Sequence, residues 1–466
     1  MGKQQRYTFD FWMVASTLIL VAYLLFMVYP LSTVVRQSVV DETTGKFSLR
    51  YMKQFFSEPY YYRTLINSFK VAISTGLLAV VVGTPLAYFY TMYEIRGRKM
   101  LQLLIILSSM SAPFIGAYAW ILLLGRAGVI TKFIQANLGI TIPSIYGFNG
   151  ILLVLTIKLF PLVFLYVSGA LKNIDNSLLE ASANMGCTGL KRFFTVVLPL
   201  CMPSILAASL MVFMRALADF GTPLMIGEGY KTFPVIIYNQ YIGEVGTNQN
   251  FASAISVIAI IITLAFFLFQ RYLSNKHSFS ISAMHSIERK KASPVGSFFM
   301  HVYAYGVVAI SLLPQVYLIY LSFRKTSSAG IVFLPGYSLK NYQQVFSNMG
   351  GSIWNTIRIC GAALIIIIVL AVLIAYLVVR KRNLANSVID SLSMIPYIIP
   401  GAVVGISLIK SFNNPFMPLV GTATIMIVSM VIRRIPYTIR SSVAILAQIP
   451  LSIDEAAESL GAGKIK

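Results

Sequence analysis

The sequence has few charged side chains. Asp, Glu, Lys and Arg make up 11% of its 466 residues, whereas hydrophobic residues make up 57%. A soluble globular domain does not reach these values, because its surface must be polar. The composition therefore excludes a soluble enzyme or binding module. It predicts an all-α protein, a polytopic helical bundle surrounded by the lipid bilayer.

Acidic residues are especially scarce. There are 15 of them against 37 Lys and Arg, which gives a formal net charge of +22. Such a charge could indicate nucleic acid, but the basic residues stand in short clusters between apolar runs, at 96–99, 289–291 and 380–382. Clusters of this kind mark the cytoplasmic ends of membrane spans. We therefore predict that the protein has no nucleic-acid partner.

Cysteine and histidine are rare, with three of each. Cys187, Cys201 and Cys360 have no paired spacing, and His277, His285 and His301 only crowd the middle of the chain, so we predict no metal site, disulfide framework or cofactor. The phosphate-binding pattern G-x-x-x-x-G-K-[ST] is also missing, since residues 461–464 match only its end. Any ATP must be hydrolysed by another subunit.

Six apolar runs occupy the first part of the chain. Lys3 and Arg6 precede the first run, which is too long for a signal-peptide core, so we predict a retained helix and a cytoplasmic N-terminus. The predicted spans cover about residues 11–35, 65–93, 101–124, 151–171, 193–218 and 251–273. Segments 125–149 and 227–250 are predicted to lie outside.

The second part of the chain repeats the first. Its predicted spans cover about residues 299–323, 354–379, 388–411 and 418–446. Landmarks recur in order, Pro113 with Pro400 and Pro161 with Pro436 among them. Both halves begin inside, so the repeats are parallel. We predict a first half at 1–273, a cytoplasmic linker at 274–297 and a second half at 298–466 that lacks its last two spans, giving ten spans where the design has about twelve.

A short motif occurs once in each half. Ser177 is followed three residues later by Glu180, and Ser452 by Glu455, a spacing typical of the reciprocal capping box at a helix start. Small residues follow, and then a glycine, Gly186 or Gly461, suited to the left-handed backbone that ends a helix. Each motif predicts a helix of about two turns with a small-residue face for docking.

These motifs resemble the E-A-A loop of permease subunits of bacterial ATP-binding-cassette importers. In that family the loop lies after the fourth span and inserts as a coupling helix into a cleft on the ATPase subunit. The resemblance implies two cytoplasmic ATPase subunits, an extracytoplasmic solute-binding protein and a place in the bacterial cytoplasmic membrane, inner or plasma. Ser182 departs from the second alanine of the pattern. The residues assigned to ATPase coupling are Glu180, Ala181, Gly186, Glu455, Ala456 and Gly461.

A shorter segment, 218–223 (Ala-Asp-Phe-Gly-Thr-Pro), is similar to the corresponding segment of ferric-iron importer permeases. Fusion of two permease halves in one chain also occurs among them. The resemblance implies ferric iron as the solute, selected outside the membrane by the binding protein. Thiamine, phosphonate and polyamine permeases have similar segments, and these solutes stay open.

Charged residues inside the apolar spans are candidates for the translocation path, since they are costly there unless they line a path or pair with each other. Lys158 and Arg433 precede the equivalent prolines of the two fourth spans, and Arg215 and Asp219 are four residues apart, close enough to pair on one helix face. The alternative is that these charges only pair or reach the interface.

A secondary transporter with two parallel six-helix halves is the rival function. Its cytoplasmic loop between the second and third spans carries a G-x-x-x-D-R-x-G-R-R pattern. Residues 94–99 (Glu-Ile-Arg-Gly-Arg-Lys) match only the basic end of that pattern, which a positive-inside cluster also explains.

Overall fold

The computed structural model describes residues 11–41, 44–243, 248–276, 288–327, 333–381 and 383–461. Lys3, Arg6, His277, His285, Arg382 and residues 277–287 of the predicted linker lie outside these ranges. In the first half of the sequence the helices are α1 (Phe11–Tyr23), α2 (Tyr29–Ser38), α3 (Arg50–Ser57), α4 (Pro59–Met92), α5 (Arg98–Ser108), α6 (Pro113–Leu124), α7 (Val129–Leu138), α8 (Phe148–Lys172), α9 (Asn176–Asn184), α10 (Gly189–Arg192), α11 (Leu198–Leu217), α12 (Gly221–Ile226), α13 (Phe233–Ile242) and α14 (Gln249–Lys276).

The second half has six described helices and one hairpin. They are α15 (Pro294–Ser322), β1 (Arg324–Thr326), β2 (Phe333–Tyr337), α16 (Lys340–Arg380), α17 (Leu384–Ile398), α18 (Gly401–Phe412), α19 (Ala423–Leu446) and α20 (Leu451–Ser459). The two strands pair antiparallel. Short π-helical turns, Leu24–Val28 and Phe193–Val197, join α1 to α2 and α10 to α11. The predicted helical bundle is confirmed.

Eight helical stretches of the described residues are long and apolar enough to cross a membrane. They are Phe11–Ser38, Pro59–Met92, Phe114–Leu138, Phe148–Lys172, Gly189–Leu217, Gln249–Phe269, Pro294–Ser322 and Lys340–Arg380. The bent pair α17 and α18 would be a ninth. Ten spans were predicted, and the last of these, at 418–446, corresponds to α19. That helix is about 36 Å long at 1.5 Å per residue, but Arg433, Arg434 and Arg440 make it too polar for this group.

The third span of each half is broken, although the sequence predicted one continuous helix in each case. In the first half α5 ends at Ser108 and α6 begins at Pro113, whereas in the second half α17 and α18 meet at an angle of 111°. The matched prolines explain both breaks. Pro113 starts α6 and Pro400 is the N-cap of α18, and the residue before each proline has extended backbone, because a proline disfavours the helical conformation in the residue that precedes it.

The chain forms two compact units that do not follow the two sequence halves. One unit comprises 1–53, 240–261 and 346–466, and the other comprises 54–239 and 262–345. In the first unit, α1 contacts α17 and α2 contacts α18; in the second unit, α15 contacts α5 and α6. The first span of each half thus packs on the broken third span of the other half. The predicted boundaries describe the sequence repeat rather than these units.

Small side chains let the helices of the second unit approach closely. The centre of this unit is α4 packed against α8 and α11. A β-carbon on Gly83 of α4 would lie 2.8 Å from Cβ of Val163 and 3.0 Å from the carbonyl oxygen of Phe160, so only glycine fits at this contact. Helix packing in lipid relies on close contacts of this kind.

Branched and long apolar side chains fill the core of the first unit. Ile19, Tyr23 and Met27 of the first span pack with residues of α16, α17 and α19. The members from those three helices are Ile367, Ala371, Ile374, Leu377, Ile389, Ile435 and Ile439. Helix α20 follows α19 in the same unit.

Candidate functional site

Helix α9 contains the first motif and begins at Asn176, one residue before Ser177. Asp175 is its N-cap, and the Asp175 side chain accepts a hydrogen bond of 2.9 Å from the backbone N–H of Ser177. The predicted capping box is therefore wrong, because Ser177 already lies inside the helix. Oε1 of Glu180 instead accepts a 2.6 Å hydrogen bond from the side-chain amide of Asn176. Asp175 takes the cap because Asp is among the best N-cap residues.

The two faces of α9 differ in burial. Asn176, Leu179 and Ser182, three residues apart, are buried against the rest of the unit. Glu180 and Ala181 are exposed, as are the large apolar side chains of Leu178 and Met185. A helix held by one face therefore presents a carboxylate, a small residue and apolar side chains on the other. Exposed apolar side chains of this size are typical of a surface that contacts another protein or a membrane.

Gly186 ends this motif as predicted. Its φ is +76°, and its N–H bonds to the carbonyl of Ala183 at 2.9 Å. The next N–H, of Cys187, bonds to the carbonyl of Ser182 at 2.9 Å, so the last carbonyls of the helix are satisfied by the turn.

Helix α20 contains the second motif. Ser452 is its second residue, so the predicted capping box is wrong here as well. Gly461 has a φ of +83°, as predicted, and Glu455 and Ala456 are exposed. The side chains of Ala457 and Glu458 lie outside the described part. Around α20 the described residues are almost all exposed, with only Asp454 half-buried.

An ion pair ties α20 to the end of α16. Nε of Arg380 lies 2.8 Å from Oδ2 of Asp454, and Nη2 of Arg380 donates a 2.9 Å hydrogen bond to the carbonyl of Ile449. The Arg380 side chain is 8% exposed and that of Asp454 is 45% exposed. From the sequence alone, Arg380 is only one member of the basic cluster at 380–382. Asp454, which occupies the position equivalent to the apolar Leu179, was the signal that could have revealed the pair.

A second ion pair lies within the helices of the other unit. Nζ of Lys158 on α8 is 2.8 Å from Oδ2 of Asp219, and Oδ1 of Asp219 accepts a 2.9 Å hydrogen bond from the N–H of Thr222. The predicted pair of Asp219 with Arg215 is wrong, because Lys158 takes the carboxylate from a neighbouring helix. Arg215 is exposed on α11. Both members of the observed pair are largely shielded, with side chains 21% and 11% exposed.

A small polar cavity of about 20 Å³ adjoins this pair at the break between α5 and α6. Such a volume holds roughly one water molecule. The hydroxyl of Thr222 is fully buried there and has no hydrogen-bond partner among the described residues. Polar residues of α5, the break, α8, α12 and α15 line it: Ser108, Ser111, Lys158, Thr222, Ser311 and Gln315.

Arg433, the counterpart of Lys158, has different surroundings. It is exposed on α19, and its guanidinium packs so closely on Gly401 at the start of α18 that a side chain at 401 would overlap it. In both halves, therefore, the cation of the fourth span is close to the broken third span.

Fold and site together define the class: a polytopic helical membrane protein with two exposed helical loops of one pattern. The model of the family described as binding-protein-dependent transport system inner membrane component matches residues 79–278. A permease of Haemophilus influenzae, whose name assigns it to a ferric transport system, is 30% identical over 462 residues, covering 97% of this chain and 72% of the relative. The chain belongs to the family of permease components of binding-protein-dependent transport systems.

Two other relatives show how the similarity is distributed. The ferric transport system permease protein of Actinobacillus pleuropneumoniae is 29% identical over 95% of this chain, and the chain spans 64% of that relative's length. A spermidine/putrescine transport system permease protein of Haemophilus influenzae is 28% identical over 47% of this chain and 76% of its own length. The family match contains the loop at α9, whereas α20 lies beyond residue 278.

Proposed function

We propose that the protein is the membrane-spanning subunit of an ATP-driven importer and that α9 and α20 are its two coupling helices. The observation that carries this proposal is the shared geometry of the two loops. Each presents an exposed Glu-Ala pair and ends at a glycine with positive φ, and they occupy equivalent positions in the two halves. An ordinary surface helix without a partner would not require an exposed small-residue face, and it would not require the same face in both halves.

The proposed partners follow from these two loops. One ATPase subunit docks on Glu180 and Ala181, and a second docks on Glu455 and Ala456. ATP is hydrolysed on those subunits, and this chain itself is not an enzyme. A binding protein on the opposite side of the membrane delivers the solute. The host membrane is the bacterial cytoplasmic membrane, with the N-terminus of this chain in the cytoplasm.

Ferric iron is the proposed solute. The support is the naming of two relatives that cover nearly the whole chain, together with the segment at 218–223. The described residues contain no group of three or more His, Cys, Asp or Glu that could hold a metal ion. Iron therefore crosses without a resident site in this part of the chain, and the binding protein makes the selection. A polyamine is the second candidate, because the spermidine/putrescine relative matches about half of the chain.

The proposed path passes the broken third spans. Lys158, Arg215, Asp219 and Arg433 are its candidate charged residues. Lys158 and Asp219 neutralise each other in their ion pair. Closure of the ATPase subunits on ATP would move α9 and α20, swing the helices attached to them, and open the path to the outside. Hydrolysis resets it.

The test is coupled transport in reconstituted vesicles. Glu180→Ala with Gly186→Val changes the carboxylate offered to the ATPase and forces a β-branched residue into positive φ, where it is a steric outlier. We expect normal insertion, reduced co-purification of the ATPase subunit, and ATP hydrolysis without uptake of labelled ferric iron. Gly169→Val is the matched control, since Gly169 lies inside α8 with open space around it.

Full coupling in the double variant would refute the coupling role of α9. Uptake of labelled spermidine rather than iron by the unmodified complex would leave the coupling role of α9 standing. It would show that the solute is a polyamine and not ferric iron. Uptake driven by an ion gradient without any ATPase subunit would support the secondary-transporter alternative.

A further inference from the structure

A polar cavity of about 390 Å³ lies where α1 begins, α16 ends and α17 begins. We call it the headgroup cavity. Trp12 and Ser16 line it from α1, Arg380 and Lys381 from the end of α16, and Asn383 and Asn386 from the start of α17. The coupling loops and the candidate path do not use it.

The charges around the headgroup cavity favour an anion. Among the described residues, its lining contains two basic residues and no acidic one. Arg380 is engaged with Asp454 at 2.8 Å, and the nearby Asp390 is engaged with Arg440 at 3.0 Å. The ammonium group of Lys381 has no ion-pair partner in the described part of the chain. One positive charge is therefore available to a ligand.

The asparagines hold the shape of the cavity. Oδ1 of Asn383 accepts a 2.7 Å hydrogen bond from the N–H of Asn386. Asn386 is 1% exposed, accepts a 2.7 Å hydrogen bond from Ser16 and donates to the carbonyls of Leu377 and Lys381. This network fixes α1 against the junction of α16 and α17. The side-chain amide group of Asn383 is left as a further donor beside Lys381.

An apolar groove of about 520 Å³ runs along the same two helices. We call it the acyl groove. Its walls come from α1 and α16, with α19 as the third wall, and almost every lining side chain is apolar. On α16 the lining residues Ile366, Leu370 and Leu373 are followed on the same face by Arg380 and Lys381 of the headgroup cavity, because residues three and four apart share a face of a helix.

Aromatic residues typical of the membrane interface lie where the two cavities meet. Phe11 lines the acyl groove, and Trp12, the next residue, lines the headgroup cavity. The ring of Trp12 packs against the ring of Tyr376 of α16, with 4.5 Å between the ring centroids and an angle of 34° between the ring planes. Trp and Tyr concentrate where the hydrocarbon meets the headgroups. An apolar groove that meets a basic pocket at this level fits a lipid better than a free nucleotide or phosphate, which has no use for the groove.

We infer that these two cavities bind one anionic phospholipid, with its phosphate group at Lys381 and Asn383 and an acyl chain in the acyl groove. Basic pockets between helices at the cytoplasmic surface are suited to such headgroups. Because Arg380 lines the headgroup cavity and also pairs with Asp454 of α20, the bound lipid lies beside the ion pair that ties α20 to the end of α16. The assignment of this lipid to the cytoplasmic leaflet rests on the proposed orientation of the chain. The inference that a lipid binds here does not.

Native mass spectrometry of the full chain tests the inference. The chain is exchanged into mixed vesicles of phosphatidylglycerol and phosphatidylcholine, extracted gently, and scored for retained lipid. We expect phosphatidylglycerol to be retained in preference. Lys381→Gln should lower that preference about fivefold, the effect of removing ~1 kcal/mol for one basic residue near a headgroup. Lys325→Gln, on β1 and outside both cavities, is the matched control and should change nothing.

Leu370→Trp tests the acyl groove separately, because a larger side chain there should reduce retention of both lipids. Equal retention of the two lipids by the unmodified chain, or an unchanged preference in Lys381→Gln, would overturn the headgroup assignment. Undiminished retention in Leu370→Trp, or displacement of phosphatidylglycerol by an equal concentration of inorganic phosphate, would overturn the lipid and leave a phosphate site. None of these results depends on the transported solute.

Discussion

The two loops that share the Glu-Ala motif are attached to the molecule in different ways. Helix α9 is held by a buried face that includes Leu179, whereas α20 is almost fully exposed and is tied down by the ion pair of Asp454 with Arg380. Leu179 and Asp454 occupy the same position in the two motifs. The two motifs share their exposed Glu and Ala residues but differ in the residue that attaches the helix. What the halves keep in common is therefore the exposed Glu-Ala face, whereas the way the helix is attached differs.

The difference has an energetic consequence. An apolar contact is insensitive to salt, whereas a partly exposed ion pair weakens as ionic strength rises. We therefore expect α20 to open more readily than α9 in high salt. Hydrogen exchange of the backbone amides in the two loops, compared within one sample, would sharpen the contrast.

The largest effect should come from placing the residue of α20 into α9. Leu179→Asp removes a buried apolar side chain, 5% exposed, and puts a carboxylate where the motif of α9 provides no cation. We expect α9 to detach, with its free energy of opening lowered by about 3 kcal/mol or more. Hydrogen exchange at residues 174–186 measures it. Leu178→Asp, on the exposed face, is the matched control, and equal exchange in the two variants would remove the distinction between the faces.

The ion pair of α20 should have the next largest effect. Among the described residues, removing Asp454 leaves the nearly buried guanidinium of Arg380 with the carbonyl of Ile449 as its one partner. Charge-assisted hydrogen bonds contribute about 1.5–3 kcal/mol. A double-mutant cycle with Arg380→Met and Asp454→Asn, read from amide exchange in α20, should give a coupling energy near the lower end of that range, because Asp454 is half exposed. Additive effects of the two substitutions would show that the pair does not hold α20.

Part of the fold and of the candidate site could be predicted from the sequence. The helical bundle, the two short motif helices and the positive φ of Gly186 and Gly461 were predictable from apolar runs and local patterns. The ion pairs were not, because Lys158 with Asp219 and Arg380 with Asp454 join residues about 60 and 70 positions apart, and periodicity reports only neighbours on one helix. The N-cap of α9 was not predictable either. Asp and Ser both suit an N-cap, so the local pattern does not decide between Asp175 and Ser177.

The glycines that end the loops should behave alike, in contrast to the residues that anchor them. Their φ values, +76° and +83°, are nearly equal, and neither has a neighbour that a β-carbon would meet. Gly186→Val and Gly461→Val should each lower the stability of the local turn by about 1–2 kcal/mol through backbone strain alone. Amide exchange in the two loops checks this, and a large inequality would show that the turns have different roles.

The smallest structural effect should come from the exposed glutamates. Glu180 bonds to Asn176 on its own helix, an interaction of about 0.2–0.5 kcal/mol, so Glu180→Ala should leave amide exchange in α9 almost unchanged. If these carboxylates form the proposed contact with the ATPase subunits, ATP-driven uptake should nevertheless fall in both Glu180→Ala and Glu455→Ala. Loss of exchange protection in step with loss of uptake would mean that Glu180 is structural.

The central claim, that both exposed faces dock on ATPase subunits, is tested most directly by cross-linking. In a chain with Cys187, Cys201 and Cys360 replaced by Ala, a cysteine is introduced at Leu178 or at Ile453, equivalent exposed positions of α9 and α20. Tyr337, exposed on β2, is the control. Treatment of the reconstituted complex with a short bifunctional thiol-to-amine reagent should join the ATPase subunit to both loop positions and not to 337. Cross-linking at only one loop, or at neither, would contradict the claim.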